Sequence, residues 1–98
     1  MKHEKLRKAI IETAREMNRS GLNQGTSGNV SARINGGFLI TPSGIPYDDL
    51  KPGQIVACDL EGGYRGDWLP SSEWRMHLDL YRGRDEAGAV VHVHSSYA

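Results

Sequence analysis

The sequence predicts an α/β domain in which a largely antiparallel central sheet carries one helix on each face. Three observations predict it. An amphipathic helical stretch opens the chain, a second follows Ser71-Ser72, and short apolar or alternating runs joined by glycine turns fill the rest. Runs joined by two- or three-residue turns pair antiparallel, because parallel neighbours need a long crossover. The 98 residues are expected to make one domain, 1–98, and a chain this short buries roughly 60 to 65% of its unfolded surface, so its core is marginal.

Leu6, Ile10, Thr13, Ala14 and Met17 repeat at i, i+4, i+7, i+8 and i+11, which predicts a helix from about Glu4 to Arg19. Gly21 supplies a left-handed stop and Leu22 the hydrophobic partner of a Schellman cap. Lys5, Arg7, Lys8, Glu12, Arg15 and Glu16 are expected to form its solvated outer face. Val30-Ser31-Ala32-Arg33-Ile34 alternates as a half-buried strand does, and Asn35-Gly36-Gly37 is a hairpin turn into Phe38-Leu39-Ile40-Thr41. Asp48 to Leu50 can close one helical turn before Lys51-Pro52-Gly53. Ile55 to Leu60 is a third strand, and Glu61-Gly62-Gly63 turns the chain into a fourth around Tyr64 to Trp68, ended by Pro70. Trp74, His77, Leu78 and Tyr81 then fall at i, i+3, i+4 and i+7 of a helix that Ser71-Ser72 caps and that closes near Gly83. Ala89 to His94 is so uniformly apolar that it is expected in the centre of the sheet.

Twelve basic and twelve acidic residues balance, with no basic stripe for nucleic acid and no polybasic arm for a membrane. A single cysteine, Cys58, allows no internal disulfide, so a reducing cytoplasm is the expected location. No apolar run approaches the roughly 20 residues that span a bilayer, and no secretory pattern opens the chain.

The chemistry concentrates in a few places. His92 and His94 stand at i and i+2 of a strand-like run, where two imidazoles share a face about 7 Å apart and can bite one metal ion. Burying such a pair in a marginal core is costly unless something pairs with it. Three clusters of small polar residues recur: Gly25-Thr26-Ser27-Gly28-Asn29 before a strand, Thr41-Pro42-Ser43-Gly44 after one, and Ser71-Ser72 before a helix. Each singly is an ordinary turn or cap; together they can hold one phosphate with backbone N–H groups, hydroxyls and a helix dipole. Glu73 at the helix start either favours the dipole or stands as a carboxylate beside a metal, where it can bind the ion or move a proton. His77, on the stripe of Trp74 and Tyr81, is expected as a packed or capping histidine, and His3 as frayed surface.

Asn23, Gly25 to Ser31, the Thr41-Pro42-Ser43-Gly44 loop, Ser71-Ser72-Glu73 and the strand ending His92-Val93-His94-Ser95 together resemble the zinc-dependent class II aldolase and adducin head family. The motifs run in family order over the whole chain. The resemblance implies a three-layer α/β/α fold with a largely antiparallel central sheet. It also implies that Thr26, Gly28, Asn29, Ser43, Gly44, Ser71 and Ser72 hold a substrate phosphate, that His92, His94 and Glu73 meet one zinc ion, and that Glu73 is the acid/base. The implied reaction is cleavage of a small ketose phosphate, such as L-fuculose phosphate, into dihydroxyacetone phosphate and an aldehyde. The implied assembly is a homo-oligomer, a tetramer in the family.

By that resemblance the chain matches the N-terminal half or so of a member, and the third metal histidine belongs beyond residue 98. Two histidines and Glu73 are expected to hold zinc more weakly than three fixed ligands, and the lone chain is expected to be a poor enzyme. Two hypotheses follow: a zinc aldolase or its N-terminal portion, and a non-catalytic interaction module of the adducin-head type. Retention of Glu73, His92, His94 and the phosphate loops favours the first.

Overall fold

The computed structural model describes residues 1–21 and 28–92. Helix α1 spans Glu4–Arg19. Five strands follow, β1 Asn29–Ile34, β2 Gly37–Ile40, β3 Val56–Asp59, β4 Tyr64–Arg65 and β5 Ala89–His92, with helix α2, Trp74–Gly83, between β4 and β5. They make one sheet in the order β4-β3-β2-β1-β5, every pair antiparallel. The β1–β2 hairpin turns at Asn35-Gly36, with Gly36 at φ 79°, a conformation glycine adopts without steric cost. Gly37 is required by space, since a Cβ there would stand 1.9 Å from the Cys58 carbonyl oxygen on β3.

Successive side chains of β1 and β2 point to opposite faces, and each face carries one helix. Val30, Ala32 and Leu39 pack with Ile10, Ile11, Ala14 and Met17 of α1. Phe38 and Ile40 pack with Val56, Cys58, Leu78 and Tyr81, which puts α2 on the other side. The buried stripe of α1 includes Ile11, while Thr13 is exposed, so the helix is rotated about one position from the predicted face.

Four sequence expectations need correction. Arg7 and Arg15 do not belong to a solvated face. Arg7 donates to the carbonyls of Pro52 (3.0 Å) and Ile55 (2.6 Å), and Arg15 to those of Tyr47 (3.0 Å) and Leu50 (3.2 Å). Their acceptors lie on and just after two single 3₁₀ turns, Tyr47–Asp49 and Pro52–Gln54, of which the sequence pattern indicates only the first. Long stems let a charged head reach across a packed helix, and helical periodicity does not reveal that reach. The strand at β1 is not half-buried: Ser31 is 0% and Asn29 1% exposed, because α2 covers the polar side of the alternation. The polar strand β4 is only two residues long. Finally, β5 is an edge strand within the described residues, paired to β1 alone, and Val91 is 53% exposed. Apolarity reports which faces want cover and does not count hydrogen-bonded neighbours. Among the described residues no helix is long and apolar enough to cross a membrane.

Candidate functional site

The start of β1, the end of β2 and the start of α2 meet at one end of the sheet, and backbone hydrogen bonds join them. Thr41 N–H donates to Val30 O (3.1 Å), and Val30 N–H to the Thr41 hydroxyl (3.3 Å). The loop after β2 runs antiparallel to the segment entering α2: Ser71 N–H donates to Thr41 O (2.9 Å), Ser43 N–H to Leu69 O (2.9 Å), and Pro42 pairs with Pro70. The buried Tyr47 hydroxyl donates to Gly28 O, just before Asn29. Burial pushes that phenol up to about 12, partly offset by a hydrogen bond with Thr41. Of the predicted phosphate residues, Gly28, Asn29, Ser43, Gly44, Ser71 and Ser72 are thereby brought to one end of the fold, with Ser43, Gly44 and Ser72 exposed. Gly44 adopts φ 77°. Thr26 lies outside the described residues.

Ser71 organises the helix start. Its carbonyl accepts from Trp74 N–H (2.9 Å) and its buried hydroxyl from Glu73 N–H (3.4 Å). Glu73 stands one position before the helix, with no side-chain capping bond. Its carboxylate instead accepts from the Asn29 amide, Nδ2 to Oε1 at 3.0 Å. Dipole stabilisation alone would not require that buried partner.

From Asn29 a chain of buried polar side chains runs inward. Asn29 Oδ1 meets His77 Nε2 in a hydrogen bond. His77 Nδ1 lies 2.6 Å from Ser31 Oγ, and Ser31 Oγ 2.8 Å from the Tyr81 hydroxyl. His77 is thus the packed histidine that its stripe predicts, and it is wholly buried. The link to Glu73 escapes sequence reasoning. A histidine and a tyrosine at i and i+4 inside an apolar stripe, facing the polar positions of an alternating strand, is the signal that could have revealed it. Arg33, further along β1, lies over the Tyr81 ring (5.0 Å) and donates to the carbonyls of Tyr81, Arg84 and Ala87, all at 2.8 Å.

The backbone register sets His92 of β5 directly opposite Asn29 of β1, beside the residue that holds Glu73. His94 lies outside the described residues. Among the described residues no group of three or more metal-binding side chains gathers. A carboxylate bound to Asn29 and a histidine whose backbone position pairs with Asn29 are residue types that fit part of a zinc ligand set. Cys58, buried on β3, does not join it: burial, with the Asp59 charge adding, pushes its thiol up to about 12.

Residues 8–98 match the Class II Aldolase and Adducin N-terminal domain. Among curated proteins, the chain is 56% identical over 95 residues to a 5-methylthioribulose-1-phosphate/5-deoxyribulose-1-phosphate aldolase of Escherichia coli O45:K1, covering 97% of this chain and 45% of that one. It is 53% identical to the L-fuculose phosphate aldolase of Escherichia coli K12, covering 97% and 44%. Among solved structures, an L-fuculose 1-phosphate aldolase superposes with a TM-score of 0.87 at 37% identity, covering 93% of this chain and 44% of that one. The enzyme of that name from Thermus thermophilus gives 0.81 at 34%, covering 93% and 47%. The chain therefore spans a little under half the length of these relatives.

Proposed function

Because the chain belongs to the class II aldolase and adducin N-terminal family, we propose that it carries the phosphate-binding end and the acid/base of a zinc-dependent aldolase. The substrate class is a small ketose phosphate, cleaved into dihydroxyacetone phosphate and an aldehyde. Relatives bear the names of fuculose phosphate and 5-methylthioribulose-1-phosphate aldolases, and a sugar phosphate is common to both. The observation that carries the reading is the Glu73 carboxylate held by Asn29 where Gly28-Asn29, the loop after β2 and the Ser71 helix start meet, with the His92 backbone position opposite.

Zinc, when bound, supplies a Lewis acid that stabilises the negative oxygens of the enediolate. This chain would present His92, His94 and Glu73 to it. The exposed Ser43, Gly44 and Ser72, with Thr26, Gly28 and the Ser71 helix start, are suited to receive the phosphate oxygens. Glu73 removes the proton of the hydroxyl on the carbon that becomes the aldehyde. The oxygen lone pair forms the carbonyl, the adjacent carbon–carbon bond breaks, and its electron pair stays with the phosphorylated half as the enediolate. Protonation of that carbon from Glu73 gives dihydroxyacetone phosphate and restores the carboxylate.

The test is a zinc titration of the metal-free chain beside a His92→Ala, His94→Ala variant, followed by a cleavage assay on ketose phosphates with Glu73→Gln. One-to-one binding lost in the double variant, and cleavage reduced by roughly 10²- to 10⁴-fold in Glu73→Gln, are expected. Zinc binding no tighter than the variant's would overturn the claim that this chain holds the metal by itself.

A further inference from the structure

We propose that His77 is a positioning residue: held as the Nε2–H tautomer by Ser31, it fixes which end of the Asn29 amide faces Glu73. The donor count carries this. A carboxylate accepts only, so the Asn29 group 3.0 Å from Glu73 Oε1 is the NH₂ end, and Oδ1 must face His77. An amide oxygen accepts only, so His77 Nε2 must bear the proton. In a neutral imidazole Nδ1 is then the acceptor, and Ser31 Oγ at 2.6 Å donates to it. The Ser31 oxygen in turn accepts the Tyr81 hydroxyl at 2.8 Å. With the Ser31 hydrogen committed to His77, the Tyr81 hydroxyl is the one hydrogen left to bridge the 2.8 Å between the two oxygens.

Every donor in the series Tyr81, Ser31, His77, Asn29 thus points toward Glu73, and all four side chains are buried. The opposite tautomer would reverse the amide and set Asn29 Oδ1 against the carboxylate, two acceptors face to face. An imidazolium at His77 would send the Ser31 hydrogen toward Tyr81 and strand the Tyr81 hydrogen, besides burying a charge. The site therefore depends on a serine that touches neither the carboxylate nor the surface. The consequence for turnover rests on the reading of Glu73 as acid/base; the hydrogen-bond order does not.

The experiment is imidazole-nitrogen NMR of the isotope-labelled full chain at neutral pH, with Asn29 side-chain amide exchange measured in parallel. The wild type is expected to show His77 protonated at Nε2 and unprotonated at Nδ1. Ser31→Ala is expected to lose that preference and to speed exchange of the Asn29 amide about tenfold, the loss of roughly one hydrogen bond. His77→Gln, whose amide can donate to Asn29 and accept from Ser31, is expected to keep the exchange slow. An Nδ1–H tautomer or an imidazolium in the wild type, or unchanged Asn29 exchange in folded Ser31→Ala, would overturn the proposal. The wild-type spectrum needs no variant, so misfolding leaves it decisive. If Glu73→Gln retains ketose-phosphate cleavage while the tautomer is as expected, the acid/base reading fails and the positioning chain stands.

Discussion

The two faces of one short sheet are built to different ends. Toward α1, β1 contributes Val30 and Ala32, which pack in one cluster with Ile10, Ile11, Ala14 and Met17. Toward α2, the same strand contributes Asn29, Ser31 and Arg33, and the helix answers with His77 and Tyr81. The apolar half of that second face, Phe38, Ile40, Val56, Cys58 and Leu78, comes from β2, β3 and α2. Alternation along a single strand thus separates packing from chemistry. One face supplies mainly nondirectional burial, with the Tyr47 hydroxyl bonded to Gly28 O as its polar exception, and the other a directional polar chain whose every member needs its partner.

The largest break in the comparison is a cavity on the packing face. Leu39→Ala, at a wholly buried position against α1, is expected to cost about 2–5 kcal/mol in chemical denaturation. Wherever the variant remains folded, His77 should keep its tautomer, because Leu39 and His77 lie on opposite sides of the sheet. A tautomer change in folded Leu39→Ala would show that the faces are coupled.

Alkali tests both faces together. Burial raises Tyr47, on the α1 side, and Cys58, on the α2 side, each to about 12, above their ordinary values of 10.0 and 9.0. Each acid is neutral when protonated, so the folded state holds its proton more tightly than the unfolded chain. Stability from this source is complete below the unfolded values and falls as pH rises through them toward about 12. The urea midpoint should therefore begin to fall near pH 9.0, the onset set by the thiol, and Cys58→Ala should move the onset toward 10.0, where Tyr47 takes over. An onset that Cys58→Ala leaves in place would show that the thiol is not protected as its burial implies.

Much of this division is legible in the sequence, and the gaps have physical causes. The Asn35-Gly36 turn, both helices and the helix on each face follow from period and turn chemistry, because those signals are local. The convergence of Gly28-Asn29, Ser43-Gly44 and Ser71-Ser72 is readable only through the family motif, since it depends on a Thr41–Ser71 backbone contact across the chain. Ser31 reads as the wet side of a half-buried strand because alternation shows that two faces differ and cannot show that a helix covers the polar one. The carbonyl clamps of Arg7 and Arg15 are hidden for the same reason, being long-range contacts made by residues whose helical positions face outward.

A milder test of the polar face is Tyr81→Phe, which removes one hydroxyl and keeps the ring stacked on Phe38 at 5.0 Å. About 1 kcal/mol is the expected cost in urea denaturation, and Ser31, freed of one donor, still offers its own hydrogen to His77. The tautomer should persist in this variant and fail in Ser31→Ala. If both variants lost it, the order of the chain would be set from Tyr81 and not from Ser31.

The smallest effect belongs to the outer surface of α1, where the sequence reading of a solvated face survives. Arg19 contacts Glu12 at 2.8 Å and Glu16 at 3.0 Å, and all three side chains are at least 60% exposed. The pairing raises the Arg19 guanidinium, chiefly through its hydrogen bond to Glu12, yet water screens the attraction and the long side chains lose freedom to form it. Glu12→Ala is expected to leave the urea midpoint almost unchanged in low salt, with any difference shrinking further at high salt. Arg15→Ala, one turn along, should cost more than Glu12→Ala, because its guanidinium bonds the Leu50 carbonyl and adds a second donor to the Tyr47 carbonyl, which also accepts from Leu50 N–H. Equal effects for the two variants would mean that the clamp on the 3₁₀ turns contributes no more than an exposed ion pair, and that α1 acts through its apolar stripe alone.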